Sequence, residues 1–109
     1  MRRTLEISTE KDGNVLRVAA RGDVDMEASP RLLDAIRAGL KQGAAIELDL
    51  KAVTYIDSSG IAVLVQGVKL ARKENAGFTL VDPSPNVFAV IKLSQLVDFF
   101  TIRQSGGAG

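Results

Sequence analysis

Residues 45–50, Ala-Ile-Glu-Leu-Asp-Leu, end in a strict alternation of apolar and acidic side chains. A β-strand sends successive side chains to opposite faces, so Ile46, Leu48 and Leu50 line one face and Glu47 and Asp49 the other. A strand covered on both sides reads instead as a continuous apolar run. This stretch therefore demands a sheet with one dry face and one wet face. With helical patterns before and after it, the chain is expected to be α/β: an open mixed β-sheet of four to five strands with helices packed mainly on one face.

Strands are expected over 4–8 and 14–21, joined by a turn at Lys11-Asp12-Gly13-Asn14. In the second, Leu16, Val18 and Ala20 share one face and Arg17 and Arg21 the other. Gly22-Asp23-Val24-Asp25 breaks that pattern. A helix follows, from Met26 or Ser29 to Leu40, with Ser29 and Pro30 suited to N-cap and N1 and with Leu32, Leu33, Ile36 and Leu40 at helical spacing. A second helix carries the stripe Ile61, Leu64, Val65, Val68 and Ala71, and stops at Asn75-Ala76-Gly77. A strand over 78–82, a short helix over 86–93 and a last edge strand ending near Arg103 complete the pattern. Neither a repeat nor a linker divides the chain. Residues 1–104 are expected to form a single domain, and 105–109 a mobile tail.

Several chemistries are closed to this sequence. It contains no Cys and no His among its 109 residues, which removes thiol catalysis, Ser-His couples and imidazole or thiolate metal sites. Fourteen basic residues against thirteen acidic ones, with 5% aromatics, argue against a nucleic-acid partner. Asp23, Asp25, Asp49 and Asp57 would have to converge to hold a hard cation, and Asp49 alternates onto the wet face. No uninterrupted apolar run exceeds five residues, too few for a spanning helix. The expectation is a cytoplasmic protein without cofactor, metal or membrane insertion, monomeric alone, and not an enzyme.

The remaining signal is the junction Ile56-Asp57-Ser58-Ser59-Gly60-Ile61, where a β-branched run meets the second helix. Ser or Asp at such a position caps the helix, a contribution of about 1 kcal/mol. Two serines and an aspartate exceed what one cap requires. A helix N-terminus also favours a phosphate, because free N–H groups and the positive dipole end face it. Phosphorylation adds about −1.5 to −2 charges at neutral pH, opposed here by the neighbouring Asp57 carboxylate. Its effect would fall on whatever docks at the junction rather than on the fold. Along the second helix, Val63, Gly67 and Leu70 flank the core stripe and are either a wide core-facing surface or an exposed apolar strip for a partner.

Tyr55-Ile56-Asp57-Ser58-Ser59-Gly60-Ile61-Ala62-Val63-Leu64-Val65, preceded by Ile46–Leu50 and by Gly22-Asp23-Val24-Asp25, resembles the STAS-domain family, most closely bacterial anti-sigma factor antagonists. The resemblance spans residues 4–103. It implies the STAS fold and a partner-switching role: a serine kinase that is also an anti-sigma factor binds the unphosphorylated protein, phosphorylates Ser58 and is released, and a phosphoserine phosphatase reverses the change. It also implies a partner surface built from Asp23, Asp25, Asp57, Ser58, Ser59, Gly60, Ile61, Val63 and Gly67. Ser59 and Gly60 would supply helix-start N–H groups, and Asp57 would position the junction. Where the family often has Ser or Thr, this chain has Ala28, so a capping contact is missing or is replaced by Ser29. The alternative implied by the same resemblance is a STAS subunit that docks on the ATPase of a phospholipid-transporting ABC complex without needing phosphorylation.

Overall fold

In the computed structural model, which describes residues 3–105, a two-residue turn at Gly13-Asn14 joins β1 (Glu6–Asp12) to β2 (Val15–Val24). Gly13 sits at φ +62°, a region that glycine enters without steric cost. The remaining elements are α1 (Ser29–Lys41), β3 (Ala45–Ile56), α2 (Ser58–Lys73), β4 (Phe78–Val81), α3 (Pro85–Leu93) and β5 (Thr101–Arg103). The strands form one sheet in the order β1-β2-β3-β4-β5, antiparallel between β1 and β2 and parallel elsewhere. This is the mixed open sheet that the alternation in β3 requires.

The strands differ from expectation mainly in length. β2 runs through Gly22 and Asp23 instead of breaking there, because its register against β3 shifts between Ala19 and Arg21 and again between Gly22 and Asp23. Such bulges absorb extra residues without ending the pairing. Gly22 lies at φ +101°, and a Cβ there would stand 2.4 Å from the Thr4 carbonyl oxygen. β3 likewise extends to Ile56, six residues past the expected end, so that Val24 and Ile56 form the last rung of the β2–β3 ladder.

One core lies on the helical side. Leu48, Leu50, Leu64, Leu80, Val87 and Ile91 are fully buried in it, and Val18, Leu32 and Ile36 extend it beneath α1. Val63 and Gly67 are buried with this core, so the alternative of an exposed apolar strip on α2 does not hold for them. The reason is Phe78: a Cβ on Gly67 would lie 2.7 Å from its ring, so the helix and the aromatic face meet without a side chain between them. Leu70 is half-buried against the same core.

The opposite face of the sheet is polar. Glu47 accepts from Arg17 Nε and Arg103 Nη1, each at 3.1 Å, joining β2, β3 and β5. The Arg103 hydrogen bond, reinforced by Arg17, holds the Glu47 carboxyl below its ordinary value against the opposing effect of burial. Asp49 pairs with Lys51 at 2.9 Å on this face, away from the other aspartates of the proposed cluster. Ser105, expected in the mobile tail, is tied down: its N–H donates to Asp82 Oδ1 at 2.6 Å. The rest of that expected tail, 106–109, lies outside the described residues. Among the described residues no helix is long and apolar enough to cross a membrane.

Two outcomes follow for stability. Gly67→Ala gains helix propensity of about 1 kcal/mol but drives a methyl into Phe78, and overpacking costs about 1–3 kcal/mol. The net result expected in urea unfolding is destabilisation, relieved when Phe78 is also shortened to Leu. The lowered Glu47 carboxyl contributes stability that is complete above its unfolded value, about 4.3, and is lost as pH falls through the folded value. Glu47→Gln should therefore weaken the acid-side pH dependence of unfolding, measured between neutral pH and the acid transition.

Candidate functional site

The last rung of β2 and β3 fixes the site. Beyond it, β2 continues into Asp25-Met26 and β3 into Asp57-Ser58, so two loops leave the same sheet edge side by side. The Asp57 N–H donates back to the Val24 carbonyl at 3.4 Å, fastening one loop to the other. Gly60 makes that approach possible: a Cβ there would lie 2.7 Å from the Val24 carbonyl oxygen and 2.5 Å from Ile56 Cγ1.

Asp57 is the N-cap of α2. Its backbone is extended, and its Oδ1 accepts the N–H groups of Ser59 at 2.9 Å and Gly60 at 3.2 Å. Its carbonyl accepts the Ile61 N–H at 3.0 Å. Ser58 follows as the first helical residue. It is exposed, and its hydroxyl makes no hydrogen bond to any described residue. The cap is thus the aspartate, and the serine is left displayed. The N–H groups of Ser59 and Gly60, expected to be open to a phosphate, are already used.

Asp25 holds the approach to α1. Its Oδ1 accepts the Ala28 N–H at 2.9 Å, and its carbonyl accepts the Ser29 N–H at 2.8 Å. Ala28 occupies the N-cap position without a side chain able to cap, and Ser29 is a buried first-turn residue. No side chain caps α1: the capping contact is missing and Ser29 does not replace it, while Asp25 fixes the turn that leads into the helix by bonding the Ala28 N–H. Asp23 binds in two directions. Its Oδ1 accepts from Thr54 Oγ1 at 2.8 Å, and its Oδ2 accepts the Arg3 N–H at 3.0 Å. Both Asp23 and Asp25 are more than nine-tenths buried.

The structure thus brings Asp23, Asp25, Asp57, Ser58, Ser59 and Gly60 to one edge, with Ile61 buried behind them, and keeps Val63 and Gly67 in the core. Among the described residues no group of three or more Asp and Glu side chains could hold a metal ion. Two residues passed over in the sequence stand at the same edge: Met26, 75% exposed, and Tyr55, 50% exposed. Nothing in the sequence marks their exposure, which arises only when β2 and β3 are paired.

The family model described as Mlab, STAS domain, matches residues 7–102, and the chain belongs to this STAS family. Two curated relatives are similar over nearly their whole length. The Anti-sigma-B factor antagonist of Listeria monocytogenes is 27% identical, with 90% of this chain and 87% of that protein covered. The protein of the same description from Bacillus subtilis is 25% identical, with 96% of each covered. Among solved structures, an anti-sigma factor antagonist from Mycobacterium paratuberculosis superposes with a TM-score of 0.83 at 29% identity, covering 92% of this chain and 86% of that one.

The cap can be tested directly. Asp57→Ala removes the acceptor of two N–H groups and should destabilise the protein by about 1 kcal/mol, within a 0.5–2 kcal/mol range. Asp57→Asn, which keeps an acceptor oxygen, should lose less. Thermal unfolding of the pair distinguishes a capping role from a purely electrostatic one.

Proposed function

We propose that this protein is an anti-sigma factor antagonist that works by partner switching through phosphorylation of Ser58. The observation that carries the reading is the division of labour at the start of α2: Asp57 holds the helix, while the Ser58 hydroxyl is exposed and uncommitted. A serine needed as a cap would be withdrawn from chemistry. This one can accept a phosphoryl group without loss of a native hydrogen bond. The descriptions of its relatives support the same reading.

The phosphate has no prepared cradle. The two N–H groups that could have received it are bound to Asp57, whose carboxylate is one residue away. The added charge must remain in water or be buried by the partner at high cost. Phosphorylation therefore breaks a complex while leaving the fold intact. The unphosphorylated protein binds a serine kinase that is also an anti-sigma factor, the kinase modifies Ser58, and a phosphatase resets the switch. The protein itself contributes a surface and an acceptor hydroxyl, not catalysis.

The test is capture from native lysate by wild type, Ser58→Ala and Ser58→Asp, with the bound proteins identified by mass spectrometry. Wild type and Ser58→Ala should retain an ATP-binding serine kinase, and ATP should release only the wild type. Ser58→Asp should bind more weakly by about 2 kcal/mol or more, roughly thirtyfold. Equal capture of an ABC ATPase by all three would instead make the protein a transporter subunit.

A further inference from the structure

Four large apolar side chains are markedly exposed among the described residues: Met26, Tyr55, Leu93 and Val97. Leu93 and Val97 lie in the segment that leads from α3 to the start of β5, at the edge where the parallel strands begin. Met26 and Tyr55 lie at the other edge, with Ser58. Val24 pairs with Ile56, so Met26 and Ser58 each stand two residues beyond that rung, and Tyr55 stands one residue before it opposite Asp23.

Their exposure does not come from loose backbone. The Met26 loop is held by Asp25 through the Ala28 and Ser29 N–H groups, and Asp23, opposite Tyr55, is bonded to Thr54 and Arg3. The Ser58 loop is held by Asp57 and by the Gly60 contact with Val24. A thioether and a phenol ring are thus held at the surface on a fixed frame. Because the backbone that carries them is already ordered, binding here costs no further ordering of the loops. Most other residues expected to form the partner surface are withdrawn: Ile61, Val63 and Gly67 are core, and the Asp23 and Asp25 carboxylates face inward bonds, which leaves Asp57 and Ser59 part-exposed beside Ser58.

We infer that Met26 and Tyr55 are the anchors that bind the serine kinase, inserting into an apolar surface of the kinase next to Ser58. The inference rests on the partner-switching reading and gives it a cause. A kinase surface shaped to receive a thioether and an aromatic ring excludes water near Ser58, and a phosphate placed beside those two side chains meets a surface without counter-charges. Affinity comes from the anchors; control comes from the serine at the same edge. The kinase is the occupant because the unphosphorylated complex must bring its active site to the exposed Ser58 hydroxyl beside both anchors and dissolve once that hydroxyl is modified.

The experiment uses the kinase recovered by Ser58-dependent capture, purified, and titrated against full-length variants by calorimetry. Met26→Ser and Tyr55→Ser should each weaken binding by about tenfold or more, as anchor residues do. Leu93→Ser and Val97→Ser, at the far edge, should leave affinity within about twofold, as side chains outside an interface do. Tyr55→Phe should bind like wild type, since the ring and not the hydroxyl is used. In phosphorylation assays the two anchor variants should raise KM with kcat preserved, a split that a misfolded Ser58 loop would not give. Wild-type affinity in both Met26→Ser and Tyr55→Ser, with Ser58→Asp still defective, overturns this inference and leaves partner switching standing. If no Ser58-dependent kinase is captured, partner switching fails and this inference fails with it.

Discussion

The parallel pairing of β2 with β3 is the constraint from which the rest follows. Parallel neighbours need a crossover, and α1 supplies it across the face that Ile46, Leu48 and Leu50 must bury. Parallel neighbours also end at the same edge. That geometry carries Asp25 and Asp57, thirty-two positions apart in the chain, to the mouths of adjacent loops. At each of the two bulges β3 takes in one extra residue, which brings Val24 opposite Ile56, and Gly60 then fits beneath the Val24 carbonyl. Without the bulges, the G-D-V-D segment would stop short of the junction that it supports.

The carboxylates fall into two groups with different work. On the uncovered sheet face, Glu47 and Asp49 meet Arg17, Arg103 and Lys51 in ion pairs open to water, which are modest in energy and sensitive to salt. At the edge where β2 and β3 end, Asp23, Asp25 and Asp57 all accept backbone N–H groups. The latter satisfy donors that helices and bulges leave orphaned, and such donors are costly when buried without partners. The first group joins strands across a surface, whereas the second shapes a surface for others.

Much of this was legible in the sequence, for physical reasons that differ from residue to residue. The alternation in β3 announced a one-sided sheet because one face must be dry whatever the neighbours are. The Asp57-Ser58-Ser59-Gly60 junction announced a strand-to-helix turn because few residues both cap and turn. The sequence did not reveal that Asp57 alone caps α2, since Ser58 is equally suited by type. Nor did it separate Val63 and Gly67 from a partner surface: the deciding contact is with Phe78, on a strand that only the fold brings near. Strand ends were misjudged where bulges intervene, because a bulge depends on the register with another strand. Met26 and Tyr55 gave no signal, since exposure is a property of the assembled edge.

The frame at this edge is held by Asp23, Asp25, Asp57 and Gly60, and neither Met26 nor Tyr55 supplies any of the hydrogen bonds that fix it. Met26 and Tyr55 can therefore change without disturbing Asp25, Asp57 or Gly60, and a change there carries little stability cost. That separation matters when one cell holds several chains of this architecture. Under the proposed anchoring, duplicated copies could drift apart in which kinase they accept while retaining a common serine and a common fold. Insulation between parallel signalling lines would then arise from two surface positions, with Ser58 left untouched.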